Sequence, residues 1–213
     1  MHIPDGFIST PVAVVGIAAA AGSIACAVKA TNKKMGEKQI PMMGVLAAFI
    51  FAAQMLNFPV PGGTSGHFVG AALAAIILGP WSAVLIMSCV LMVQCLVFQD
   101  GGLLALGANI INMGVIAVFV SYFTYKGIFA AMRGSKVGRF IAAGVGGWVS
   151  VVASALSCAA ELAISGIVPW QVAMPAMGIV HMAIGVGEGL ITVAVIALVM
   201  GTRADLLELQ QPT

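Results

Sequence analysis

The fold class predicted by this sequence is an all-α polytopic membrane protein of seven transmembrane helices, N-terminus outside and C-terminus inside. Three observations predict it. Of 213 residues, 61% are hydrophobic and 8% charged, where a soluble domain carries roughly 25% charged residues. Mean hydropathy is +1.11, and the apolar residues gather in runs of about 20, the length a bilayer core requires. All nine Lys and Arg fall in alternate connections, which sets the orientation because inner loops carry the basic excess. No linker, low-complexity tract or charge run divides the chain, so residues 1–213 read as a single domain.

Each element follows in order. Residues 1–7 are polar, punctuated by Pro4 and Gly6, and lack the basic n-region of a secretory signal. They read as an uncleaved, outward N-terminus. The first span is 11–30, whose Ala18–Gly22 stretch allows close helix contact. A basic loop, 31–39, leads to the second span, 40–58. Pro59 to His67 then breaks the apolar pattern, and 68–79 is apolar but short. Twelve helical residues rise only about 18 Å, so either the helix is steeply shortened or the Pro/Gly loop before it dips below the outer surface. Such irregular backbone survives at depth only where protein or a polar cavity surrounds it. Pro80 opens the next span, 80–98, and a loop, 99–107, leads to the span 108–125. A second basic loop, 126–139, precedes the last two spans, 140–164 and 175–200. Lys29, Lys33, Lys34, Lys38, Lys126, Arg133, Lys136, Arg139 and Arg203 all lie inside in this topology, whereas the outer loops hold Asp5 and Asp100. That outer face attracts cations.

Three histidines are present, His2, His67 and His181. The Met1 amine, the deprotonated His2 amide and the His2 Nδ1 can enclose a metal in fused five- and six-atom rings, leaving one corner open. Tetragonal nitrogen geometry suits Ni(II) or Cu(II). A start methionine followed by a solvated histidine reads the dipeptide equally well. His67 shares the outer side with His2 and is positioned to fill the open corner.

His181 and Glu188 share one face of the last span, and Glu161 ends the sixth. Ionisable groups at such depth face a cavity or a partner; here they either tie helices together or support a ligand from the second rank. Asn109 and Asn112, a turn apart, bond across helices or line a recess, and Gln54 and Asn57 read alike. Cys26, Cys89, Cys95 and Cys158 have no CxxC spacing and read as small hydrophobes. The methionines are spread over several helices, which points to packing rather than a Cu(I) path.

A competing motif is Gly63-Thr64-Ser65-Gly66, the GxSG of rhomboid-type intramembrane serine proteases, with Ser65 as nucleophile and His181 as base. It leaves the N-terminus unexplained, and Ile184 stands where that family's His-x-x-Gly needs glycine. No P-loop occurs, so the chain has no ATPase of that type and is not read as an enzyme. No basic-aromatic patch points to nucleic acid.

Met-His-Ile-Pro-Asp-Gly-Phe at the N-terminus, the Pro/Gly loop ending in Gly-His67, and Ala-Asn-Ile-Ile-Asn-Met-Gly together resemble the CbiM/NikM family, the cobalt/nickel substrate-binding component of energy-coupling-factor transporters. The resemblance spans the chain. It implies a square-planar site made by the Met1 amine, the His2 amide and imidazole and the His67 imidazole, with Ni(II) or Co(II) as cargo and no organic cofactor. It implies six core helices plus one at the N-terminus, in the cell membrane. The partners it implies are a transmembrane coupling protein, two ATP-binding-cassette ATPases and often a small accessory membrane protein. The planar nitrogen set favours Ni(II), because low-spin d8 ions prefer that geometry.

Overall fold

The computed structural model describes residues 1–33 and 39–208. Lys34 and Lys38 of the first basic loop, and the C-terminal Thr213, lie outside the described residues. The chain is helical apart from one small hairpin. Helix α1 is Thr10–Asn32, α2 Gln39–Gln54, α3 Ala71–Leu78, α4 Pro80–Phe98, α5 Leu106–Ala131, α6 Lys136–Ile164 and α7 Trp170–Thr202. A single turn, Asp205–Glu208, follows. Among the described residues α1, α4, α5, α6 and α7 are long and apolar enough to cross a membrane. The other two expected spans are shorter, 16 residues in α2 and eight in α3. Large apolar side chains such as Val14, Val15, Leu190 and Leu198 face outward, where lipid is the solvent.

Local chemistry fixes the boundaries. Pro11 and Pro80 sit in the first turns of α1 and α4, where a missing N–H is no loss. The Ser135 hydroxyl caps α6 by accepting the Gly138 N–H at 3.0 Å. Helix α5 contains a π-helical segment, Ile110–Ile116, a form that clusters at functional sites.

The interior is closed by small residues. Cβ atoms added at Gly16 or Gly107 would strike the backbone of the facing helix, so α1 and α5 touch main chain to main chain. This is the close contact expected of the first span, but at Gly16; Gly22 has open space around it. In α6, Gly144 and Gly147 pack on Gly189 of α7, so the glycine-rich run expected to serve either a partner or internal packing is at least partly occupied internally.

Between α2 and α3 the chain forms strands Phe58–Pro59 (β1) and Ser65–Gly66 (β2), antiparallel, with Phe58 opposite Gly66 and Pro59 opposite Ser65. Val60 N–H to Thr64 O and Gly63 N–H to Val60 O, each 3.0 Å, close the turn. The hairpin packs on α7: a Cβ at Gly63 would meet Met177, and one at Gly66 would meet Ile184 at 2.9 Å. The short α3 begins only at Ala71 because Gly70 has φ 77 and its N–H, with that of Val69, is bound elsewhere.

Candidate metal centre

The first three residues thread into the helix bundle. Met1 and Ile3 are fully buried, and His2 is 4% exposed. Asn109 holds this segment as a second strand would: its Nδ2 donates to the Ile3 carbonyl at 3.1 Å and its Oδ1 accepts the Ile3 N–H at 2.9 Å. Gly102 N–H adds a bond to the same carbonyl at 2.8 Å. The Asp5 carboxylate accepts the N–H groups of Leu103 and Leu104 at 3.1 and 2.9 Å. All five bonds fall on loop 99–105 or on Asn109 at the start of α5, so that loop and Asn109 are the clasp of the N-terminus.

The clasp carries the Met1 amine to the hairpin, where it donates to the Ser65 carbonyl and, at 2.7 Å, to the Ser65 hydroxyl. The His2 N–H donates to the same hydroxyl at 3.2 Å. The rings of His2 and His67 lie 4.6 Å apart. Met1, His2 and His67 are thus brought together, as the sequence predicts. Asp100 joins them, its Oδ1 2.7 Å from His2 Nδ1. It is placed by Gln99, which has φ 56, turns the chain at the end of α4 and lets the Asp100 N–H bond Gln94 O at 3.0 Å. Among the described residues no three His, Cys, Asp or Glu side chains form a metal-holding group.

Electrostatics prepare these nitrogens for an ion. Burial lowers the Met1 amine from 8.0 to about 5, with Cys158 and Asp100 pulling weakly upward. Burial, then the neighbouring amine and His2, hold His67 well below its usual range. Burial also lowers His2 despite its bond to Asp100. For Asp100 burial alone would raise the carboxyl, but His2, the amine and Asn57 together bring it below its usual value. Held below its usual range, His2 approaches Asp100 at 2.7 Å through Nδ1 without hydrogen-bond geometry, a close polar contact rather than an ion pair.

In one atom the structure departs from the expected chelate. His2 presents Nδ1 to Asp100, and its buried Nε2 has no partner; a chelate through Nδ1 needs a half-turn of the ring about Cβ–Cγ. His67 already presents Nε2. Its Nδ1–H donates to Phe68 O at 2.7 Å and leaves a buried Nε2 bare, the arrangement in which backbone carbonyls orient metal-ligating histidines.

The remaining polar residues hold the frame. Glu188 accepts the Val69 and Gly70 N–H groups at 2.9 and 2.7 Å and so anchors the segment after His67. Gln54 donates to Val69 O at 2.7 Å. Glu161, Asn112 and Ser157 form a chain of 2.6 Å bonds between α5 and α6. Cys158 lies 3.7 Å from the Met1 carbonyl, a contact that reading it as a plain hydrophobe misses. The protease geometry is not formed. The Ser65 hydroxyl serves the amine and amide, and His181 faces the Ser65 carbonyl without reaching hydrogen-bond geometry.

Residues 2–206 match the family CbiM, described as cobalt uptake substrate-specific transmembrane region. The chain is 42% identical, over 98% of its length and 68% of the relative's, to a putative fused nickel transport protein NikMN of Archaeoglobus fulgidus. It is 41% identical, over 97% of its length and 93% of the relative's, to a putative metal transport protein of Haloquadratum walsbyi. A crystal structure of a truncated transition metal transporter superposes with a TM-score of 0.88 at 37% identity, covering 94% of this chain and 99% of that one.

Proposed function

The chain belongs to the CbiM family of multi-pass membrane proteins for metal uptake, and from that premise we propose that it captures Ni(II) or Co(II) at high affinity on the outer face of the membrane. It acts as the substrate-specific subunit of an energy-coupling-factor transporter. The observation that carries this reading is the Met1 amine, buried and held at the hairpin beside the His2 and His67 rings. A free amine has no packing reason to be buried, because its desolvation is costly; as a ligand it gains a purpose.

With Met1 as first residue, the ion is drawn to the acidic outer end and sheds water for the amine, the His2 amide, the His2 imidazole and the His67 Nε2. The His2 ring makes its half-turn, its one proton moves to Nε2 so that the Nδ1 lone pair closes the second chelate ring, and the amide proton leaves through the Ser65 hydroxyl that already accepts it. Loop 99–105 keeps the N-terminal segment over the ion as a plug. Seven helices, α1 to α7, cross or enter the bilayer, with the basic connections inside. The absence of a P-loop motif assigns energy supply to a transmembrane coupling protein and two ATP-binding-cassette ATPases, with a small accessory membrane protein as a further partner. The planar four-nitrogen set favours Ni(II) over Co(II).

Elemental analysis of the purified chain with its native terminus should find about one Ni or Co per chain. His67→Ala opens one corner to water and leaves the chelate rings, so calorimetric titration should show affinity weakened by more than about tenfold, or ~1.4 kcal/mol, without abolition. Unchanged affinity in His67→Ala would remove the hairpin histidine from the site.

A further inference from the structure

His181 is fully buried in α7 and has no role in the four-nitrogen set. Its Nδ1 lies 2.7 Å from the Met177 carbonyl, and its Nε2 has no partner. A carbonyl only accepts, so Nδ1 carries the hydrogen, and in the neutral ring Nε2 is a bare lone pair. A buried lone pair without a donor is costly. His67 repeats the pattern: Nδ1 on the Phe68 carbonyl at 2.7 Å, Nε2 bare. Backbone carbonyls thus fix both imidazoles in the tautomer that ligates a metal through Nε2.

The contacts of α7 place His181 against the site. Met177, one turn before it, abuts Gly63, and Ile184, nearly one turn after it, abuts Gly66. His181 therefore faces the hairpin at Ser65, whose carbonyl already binds the Met1 amine. No acidic side chain pairs with His181 among the described residues, so neither an acid–base pair nor an ion pair accounts for its bare nitrogen.

We propose that His181 is a further nitrogen donor for the transported ion, taking it together with His67 when the Met1 and His2 nitrogens let go. The inference rests on the metal-capture reading above. A tight chelate can be released only along a path with other donors, and imidazole is a ligand both Ni(II) and Co(II) accept. In the loaded state the ion is held by the N-terminal set; as the N-terminal segment withdraws, two imidazoles, one from the hairpin and one from α7, keep it from falling back into solvent.

The test uses the full chain, with Co(II) and Ni(II) alone as probes, with native and acetylated Met1. Acetylation disables the chelate and should leave a weaker site detectable in the Co(II) absorption spectrum. His181→Asn keeps a donor at the Nδ1 position for the Met177 carbonyl and deletes Nε2. It should leave affinity in the native-terminus chain within about twofold, which also shows that it folds. In the acetylated chain it should weaken residual Co(II) binding at least tenfold. His181→Gln, with an amide where the imidazole was, should behave in the same way. The proposal is overturned if the acetylated chain has no residual site, if either variant leaves that site unchanged, or if both abolish tight binding in the native-terminus chain. Failure of the native-terminus chain itself to bind either ion would instead sink the capture reading on which the inference rests.

Discussion

Burial brings the Met1 amine from an ordinary 8.0 down to about 5, and this sets how the site answers to pH. Above pH 8 the amine is neutral whether the chain is folded or not. Between 8 and 5 only the unfolded chain takes up a proton, so stability is lost as pH falls through that window. The amine is therefore neutral at pH 7 in the folded protein before any ion arrives, and the proton that binding displaces is the one on the His2 amide. Calorimetry at pH 7 in buffers of different protonation enthalpy should find about one proton released per ion. Two per ion would mean that the amine stays charged until the metal comes. His2 and His67 were legible in the sequence, one as the partner of a free amine and the other as the histidine of a broken apolar run. Ser65 and Asp100 were not legible as their neighbours. The bonds that join these residues span tens of positions along the chain, and no local spacing encodes them. Asn109 was readable as a polar residue on a helix, but not as the group that pairs with the Ile3 backbone.

At the scale of elements, the site depends on a piece of chain that is neither a full helix nor a loose loop. The hairpin β1–β2 and the extended residues before α3 carry His67, and their main-chain N–H groups have few partners to choose from. Glu188 takes two of them, at Val69 and Gly70. It also places a carboxylate at the N-terminus of α3, where negative charge is favoured. Glu188→Ala leaves two buried donors without an acceptor, each costing about 1–3 kcal/mol. We expect a clear drop in the melting temperature of the detergent-solubilised chain, and a smaller one for Glu188→Gln, which keeps one acceptor oxygen. Equal melting of Glu188→Ala and the unaltered chain would show that Glu188 does not hold this segment. Apolar run length located the positions of α1 to α7 but misplaced several ends. Helix α3 is four residues shorter than the apolar segment 68–79 implies, because Glu188 and Gly70 hold 68–70 out of it. Helix α7 begins at Trp170 rather than at Pro175, since a proline near the start of a helix displaces few hydrogen bonds. The π-helical segment in α5 left no mark in composition, although it starts just after Asn109 and contains Asn112, the two asparagines the sequence singles out.

For the whole molecule, the start of the chain is the functional centre of the proposed capture site. The clasp at 99–105, the hairpin and Cys158 of α6 all converge on the first three residues. Hydropathy and the distribution of Lys and Arg disclose a membrane bundle, and they assign the N-terminal segment to the outer side, but they say nothing of its insertion into the bundle. That insertion depends on contacts between distant segments, and the proposed role of Met1 as a ligand rests on it. The most direct test alters the amine and no side chain. Met1 is acetylated in the full chain, and Ni(II) and Co(II) affinity and absorption spectra are compared with those of the free-amine protein and of a chain tagged after Thr213. Acetylation should abolish tight binding and the spectrum of the planar nitrogen set, while the C-terminal tag leaves both unchanged. An acetylated chain that binds Ni(II) or Co(II) with the affinity and spectrum of the free-amine protein would contradict the site described here.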